Sequence, residues 1–260
     1  MTILQTIIFG IIEGITEFLP ISSTAHLDIT RFLLSIPATD FVKSFVIAIQ
    51  LGAILAVVVL YRKKIFSSWI YLRNIIIAFI PTGIIGFILY KLIKSFLLGN
   101  LPIETWALLL GGVIILFYEH KVKNKAEDEL PKTIESLGVK ELLLLGTAQA
   151  ISVIPGVSRS GAVIVSGRML GLSRMLITEF SFLLAIPTIL IATVYDLYKS
   201  GFAFTGDNWG MIGLGFVVSF IVAMLVVKWL LGYIKKHSFS IFGWYRVIIG
   251  ILLLVSSLFL

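Results

Sequence analysis

The chain has 260 residues, 58% of them hydrophobic and 13% charged, with a mean hydropathy of +1.06. That balance excludes an ordinary soluble domain and marks an all-α polytopic membrane protein, since its apolar runs are long enough to cross a hydrocarbon core of roughly 30 Å. The net charge of +7 does not imply nucleic acid, because the cations sit in particular loops without interleaved aromatics or a binding module, and the absence of cysteine excludes disulfides and thiolate chemistry.

Apolar residues run from Ile3 to Ile12 and are then interrupted by Glu13-Gly-Ile-Thr-Glu17-Phe-Leu-Pro20-Ile-Ser22-Ser23-Thr24-Ala-His26. The run lacks a small-residue cleavage site and is broken by Glu13, so it is expected to be retained rather than removed as a signal peptide. A charge at membrane depth costs roughly 2.5 to 3.5 kcal/mol, so two carboxylates and an imidazole there point to a functional site. Further on, about six spans are expected, near Phe41–Tyr61, Ile75–Leu92, Ile103–Tyr118, Ile177–Leu197, Met211–Leu231 and Val247–Leu260. The loops carrying Arg62, Lys63, Lys64 and Arg73, then Lys121 to Lys140, then Lys228, Lys235, Lys236 and Arg246 are basic. By the positive-inside rule these loops are cytoplasmic and both termini lie outside. His120 and His237 fall in charged loops and are expected to be solvated.

The opening pattern recurs in weaker form as Gly146-Thr-Ala-Gln149-Ala-Ile-Ser-Val-Ile-Pro155-Gly156-Val-Ser158-Arg159-Ser160-Gly161. Gly10 pairs with Gly146, Glu13 with Gln149, Pro20 with Pro155 and Ser23 with Ser158, at an offset of about 135 to 138 residues that also pairs Ala48 with Ala185, Phe79 with Phe216 and Gly112 with Gly250. An inverted-topology repeat is therefore expected, each half carrying one re-entrant helix-loop-helix hairpin and three spans. Residues 1–118 form the first repeat, 119–141 a solvated cytoplasmic linker and 142–260 the second.

On a helix, Glu13 and Glu17 share one face. They suit a divalent cation, or one of them can act as a base; the structural alternative is a salt bridge or a cap. Pro20 ends the first half-helix, and Ser22, Ser23 and Thr24 are good N-cap residues for the second, so its amides form an anion site. Ser23 and His26 also fall on one face, where a hydroxyl and an imidazole can cooperate. That spacing fits Ser23 attacking with His26 as base, His26 attacking directly, or His26 activating water. The second hairpin adds the Pro155-Gly156 break, hydrogen-bond donors at Ser158 and Ser160, the amide of Gln149, and Arg159, whose planar fork suits phosphate. Arg159 at a helix N-terminus opposes the dipole; an anionic ligand, or an ion pair with Glu13 or Glu17, resolves the conflict. Arg168 and Arg174 are expected at lipid headgroups. Acids, hydroxyls, an imidazole and an arginine together point to phosphoryl transfer from a membrane-resident diphosphate, with a divalent cation (Mg or Ca) on the carboxylates. The competing class is a transporter or flippase of phosphate or a lipid headgroup, an activity that inverted repeats with broken helices also serve. The stretch Met211–Gly215 suits close helix packing within one chain or in a homodimer.

The motifs Glu13–His26 and Pro155–Ala162, with Gln50-Leu-Gly-Ala-Ile-Leu-Ala-Val-Val and Glu179-Phe-Ser-Phe-Leu-Leu-Ala-Ile-Pro, resemble those of the undecaprenyl-diphosphate phosphatase, or bacitracin-resistance, family. The resemblance implies an enzyme of the cell membrane that converts a polyprenyl diphosphate to the monophosphate for cell-wall synthesis, with its site open to the outer face. It also implies activity at Glu13, Glu17, Ser23, His26 and Arg159 with the surrounding serines, and a divalent cation. This chain departs from the family pattern at Ala25, where Gly is usual, and at Val163, where Thr is usual.

Overall fold

The structure, a computed structural model, describes residues 1–122, 133–199 and 206–258. Among these residues it is built of helices and turns, with no strand. In chain order the helices are α1 (Ile3–Thr16), α2 (Ser23–Leu33), α3 (Asp40–Ser67), α4 (Trp69–Leu92), α5 (Leu101–Val122), α6 (Val139–Ala150), α7 (Arg159–Met169), α8 (Arg174–Lys199), α9 (Gly206–Ile234) and α10 (Ser240–Ser256). Two helix-turn-helix units, α1–α2 and α6–α7, are thus each followed by three helices.

Local chemistry sets the boundaries. Thr2 and Gln5 close a reciprocal capping box at the start of α1, Thr39 caps α3 through the Val42 amide, and Ser68 caps α4 through the Tyr71 amide. Such caps satisfy amides that have no acceptor within the helix. At the other end of α1, Pro20 cannot donate an amide proton and the chain turns.

Among the described residues five helical stretches are long and apolar enough to cross a membrane: Asp40–Ile65, Trp69–Leu97, Leu101–Lys121, Arg174–Lys199 and Asn208–Ile234. The last of the about six expected spans falls on α10, an apolar helix of 17 residues that begins at Ser240 and is shorter than the other five. Their outward faces carry large apolar side chains such as Phe87, Ile88, Leu110 and Leu225, an arrangement stable against lipid but not against water.

The units pack across each other. Helix α1 lies along α9 and α6 along α4, while α3 meets α8 and α5 meets α10. Small residues make the first two contacts close: a Cβ at Gly146 would stand 2.0 Å from the Ala78 carbonyl oxygen, and one at Gly10 would stand 2.8 Å from Val218 Cβ. At the α4–α6 contact Thr82 donates to the Gly146 carbonyl (3.0 Å).

The linker expected over 119–141 is only partly a loop. Residues 123–132 lie outside the described residues. Glu119 belongs to α5, is buried, and pairs with Arg174 at 3.1 Å. On the far side Ile134 and Leu137 are buried in the core, and Asn74 donates to the Ile134 carbonyl at 2.8 Å, so that end is anchored rather than solvated. His120 and His237 are exposed, as expected.

Candidate active site

The turns of the two helix-turn-helix units meet. Ser22 precedes α2 with φ 72° and ψ 96°, and Ser158 precedes α7 with φ 72° and ψ 110°. A non-glycine residue at positive φ is uncommon and strained, so the same departure at both N-caps aligns Ser22 with Ser158. This shifts the sequence pairing by one residue, because Ser158 matches Ser22, and Ser23 then matches Arg159. The two residues that begin the second arms therefore carry the hydroxyl on one side and the guanidinium on the other.

Those residues converge on Glu17. Ser23 Oγ donates to Glu17 Oε2 at 2.5 Å, and Arg159 Nη2 donates to Glu17 Oε1 at 3.1 Å. Arg159 Nη1 is fixed by the Ser181 carbonyl (2.6 Å), and its guanidinium lies 6.0 Å from the Phe18 ring centre. Its Nε is buried without a hydrogen-bond partner. Ser22 makes no side-chain cap to α2. At α7 the Ser158 hydroxyl accepts from the Gly161 amide (3.2 Å).

Glu13 lies one turn back and is fully buried against Glu17, and neither of its carboxyl oxygens receives a hydrogen bond from a donor. Two adjacent carboxylates cannot both stay charged in a dry site without a cation or a proton between them. The donors available, Glu13, Glu17 and the Ser23 hydroxyl, are all oxygen, the ligand type of Mg²⁺ and Ca²⁺. Among the described residues no group of three or more His, Cys, Asp or Glu side chains converges. A cation on this pair would need further oxygens from a ligand, as Mg²⁺ commonly does with phosphates.

His26 is placed apart from Ser23. Its Nδ1 bonds the Ser22 carbonyl (2.7 Å), and its Nε2 bonds the Tyr245 hydroxyl of α10 (2.8 Å). The Ser23 hydroxyl is directed at Glu17 and not at the His26 imidazole. Gly156, Ser22, Ser23, Thr24, Ser158, Glu17 and Arg159 line one cavity of about 180 Å³. Ser160 and Gln149 do not. Ser160 instead bonds the Leu19 carbonyl at 2.9 Å, joining the two turns, and Gln149 donates to Thr82 (3.0 Å) and Thr188 (2.9 Å), whose residues line the cavity. Thr24, Gln50 and Thr82 also line a second, larger cavity of about 290 Å³. Phe79, Phe87, Tyr90 and Tyr195 help to wall it, and Lys94 and Asp196 form an ion pair in its lining.

Two side chains absent from the sequence-derived site hold it together. Tyr245 engages His26. Arg246, expected in a basic loop, is fully buried within α10. It donates to the carbonyls of Pro20 (3.1 Å) and Val157 (3.0 Å) through Nη1, Gly156 and Ala107 (both 2.9 Å) through Nη2, and Leu108 (3.2 Å) through Nε. It therefore ties both turns to α5. The available sequence signal was an arginine inside the apolar run from Ile241 to Leu254. Arg168 is buried and bonds the Leu172 carbonyl, and Arg174 pairs with Glu119. Val163 and Ala25 are fully buried, Val163 within the apolar core.

The model of the family described as bacitracin resistance protein BacA matches residues 6–252. Proteins named undecaprenyl-diphosphatase are similar over their full lengths. The one from Aquifex aeolicus is 50% identical over 259 residues, covering 100% of both chains. That from Sulfurihydrogenibium sp. is 49% identical over 252 residues, covering 97% of this chain and 98% of the relative. That from Flavobacterium johnsoniae is 44% identical over 263 residues, covering 100% of this chain and 98% of the relative. With its two motifs meeting at one site and the match running nearly end to end, the chain belongs to the bacitracin resistance protein BacA family.

Proposed function

We propose that this chain is an integral membrane phosphatase that hydrolyses undecaprenyl diphosphate, or a similar long-chain polyprenyl diphosphate, to the monophosphate and inorganic phosphate. The observation that carries the chemistry is the Glu17 bridge, one oxygen on Ser23 at 2.5 Å and the other on Arg159 at 3.1 Å. Glu17 is placed to take the Ser23 proton, and Ser23 Oγ to attack the terminal phosphorus. The bond to the bridging oxygen breaks, Glu17 passes the proton to that departing oxygen, the polyprenyl monophosphate leaves, and a phosphoserine forms. Water then attacks that phosphorus, losing its proton to Glu17, and phosphate leaves as the Ser23 hydroxyl is restored. Arg159, with its free Nε, and the uncapped amides of α2 hold the phosphate charge as it develops. His26, fixed by Tyr245, sits at the start of the same arm to orient the terminal phosphate or its departing oxygen. A divalent cation held by Glu13 and Glu17 would neutralise diphosphate charge.

The substrate class is supported by the names of the relatives and by the apolar cavity beside the polar one, which suits a prenyl chain. The transporter alternative is not favoured, since it gives Ser23 no use as a nucleophile. We further infer that the two units are inverted repeats with re-entrant hairpins. The matched dihedrals of Ser22 and Ser158 and the reciprocal packing of α1 on α9 and α6 on α4 support this. The charge pattern of the loops supports external termini, and the resemblance an outward-facing site, in the cell membrane.

The test is phosphate release from a long-chain prenyl diphosphate by purified protein in detergent with Mg²⁺ or Ca²⁺, with Glu17, His26 and Arg159 variants alongside. Release is expected from the parent alone at full rate; no release by the parent would refute the enzyme. A chelator is expected to abolish release and either cation to restore it. Full activity in chelator would remove the cation from Glu13 and Glu17.

A further inference from the structure

Gln50 lies on α3, outside both helix-turn-helix units, yet it lines both cavities. The polar residues common to the two are Thr24, Gln50, Thr82, Ser152 and Thr188. They mark the boundary between the cavity of Glu17 and Arg159 and the larger one walled by aromatics. Three of these side chains are spent within the protein. Thr82 donates to the Gly146 carbonyl (3.0 Å), Thr188 to the Leu184 carbonyl (2.8 Å) and Ser152 to the Gln149 carbonyl (2.6 Å). Both threonine hydroxyls also accept from the Gln149 amide. Gln50 and Thr24 differ. Both are half-buried, and neither side chain has a hydrogen-bond partner among the described residues.

A glutamine carboxamide brings two N–H donors and a hydroxyl brings one. Within a membrane protein such donors are stable only against water or a polar ligand. The charged groups on either side are already engaged: Arg159 holds Glu17, and Lys94 holds Asp196. The boundary therefore offers donors that carry no charge and that the fold itself does not use.

The two phosphates of a prenyl diphosphate are not equivalent. The terminal one is attacked, and the other carries the prenyl ester and departs with it. With the terminal phosphorus at Ser23 and Arg159 and the prenyl chain in the apolar cavity, the lipid-proximal phosphate falls at the boundary between them. We propose that the Gln50 carboxamide and the Thr24 hydroxyl bind the non-bridging oxygens of that lipid-proximal phosphate. Both contacts rest on the reading of the site as a phosphatase for long-chain prenyl diphosphates. They would fix the terminal phosphorus in line with Ser23 and take up charge that builds on the departing monophosphate. Being uncharged, the two donors would hold that product less tightly than a lysine or arginine in their place. A site built this way distinguishes a diphosphate from a lone phosphate by its second set of donors.

The experiment uses the full-length protein in detergent with Mg²⁺ and compares the parent with Gln50→Met, which keeps the length of the side chain and removes its donors, and with Thr24→Val. The probe is farnesyl methylenediphosphonate, in which CH₂ replaces the bridging oxygen, so that binding is read without turnover. Gln50→Met should weaken its binding about tenfold or more, as for loss of a hydrogen bond to a charged group, and Thr24→Val should weaken it in the same direction. The affinity for inorganic phosphate, read by competition and held at Arg159, should stay within about twofold of the parent. The unfolding midpoint of Gln50→Met should equal that of the parent, since the side chain bonds nothing in the fold. Unchanged binding of the diphosphonate by Gln50→Met overturns the proposal. So does an equal loss for diphosphonate and inorganic phosphate, which would put Gln50 at the terminal phosphate, and so does a lowered midpoint, which would make the carboxamide part of the fold. If the parent binds the diphosphonate and loses it in Gln50→Met but releases no phosphate from a prenyl diphosphate, the phosphatase reading fails and the two contacts stand.

Discussion

Ser23, Glu17 and Arg159 form the smallest unit on which the account depends. Arg159→Lys keeps the charge but loses the fork that binds Glu17 and the Ser181 carbonyl together. Because a point charge cannot replace a bidentate donor, phosphate release should fall about 10²-fold or more, as for removal of an oxyanion donor; near-parental kcat would remove Arg159 from the site. Arg246 makes a different prediction. Arg246→Leu leaves five carbonyls without their donor, a loss of the order that breaking a buried charge network costs, about 3 to 5 kcal/mol. A large drop in unfolding temperature is expected, and an unchanged midpoint would contradict its role as the staple of both turns.

At the scale of elements, the two turns are the parts most sensitive to backbone chemistry. Gly156 has φ +93° and Glu104 main-chain atoms within 2.8 Å of where a Cβ would sit. Gly156→Ala therefore adds both strain and a clash. Activity should drop at least about tenfold, as expected from roughly 1 to 3 kcal/mol of misfit at the tip, and a variant with parental kinetics would show the turn to be adaptable. The polar interruption from Glu13 to His26 was legible in the sequence because polar groups within apolar runs demand partners. Pro20 and Pro155 marked where the helices stop. The partners themselves were not legible. The contact of His26 with Tyr245 joins residues far apart in the chain, and Arg246 reads as a loop cation until α10 is seen to start at Ser240. Ser160 and Gln149 lie in the right motif, but their side chains bond Leu19, Thr82 and Thr188 rather than the cavity. Spacing along a helix gives the face of a residue, not the direction in which its hydroxyl points.

For the molecule as a whole, membrane class and helical fold followed from composition alone, and the site followed from two motifs that only the tertiary packing brings together. In the proposed mechanism the first unit supplies the nucleophile, acids and imidazole and the second the phosphate clamp, while Arg246 of α10 bonds both turns. The central claim is that Ser23, activated by Glu17, accepts the terminal phosphoryl group, and it is tested most directly by rapid acid quench of the purified protein with terminally labelled undecaprenyl diphosphate. Label is expected on a peptide containing Ser23 during turnover and absent in Ser23→Ala, which should release no phosphate. Turnover at the parental rate by Ser23→Ala, or sustained turnover by the parent with no labelled protein, would contradict it.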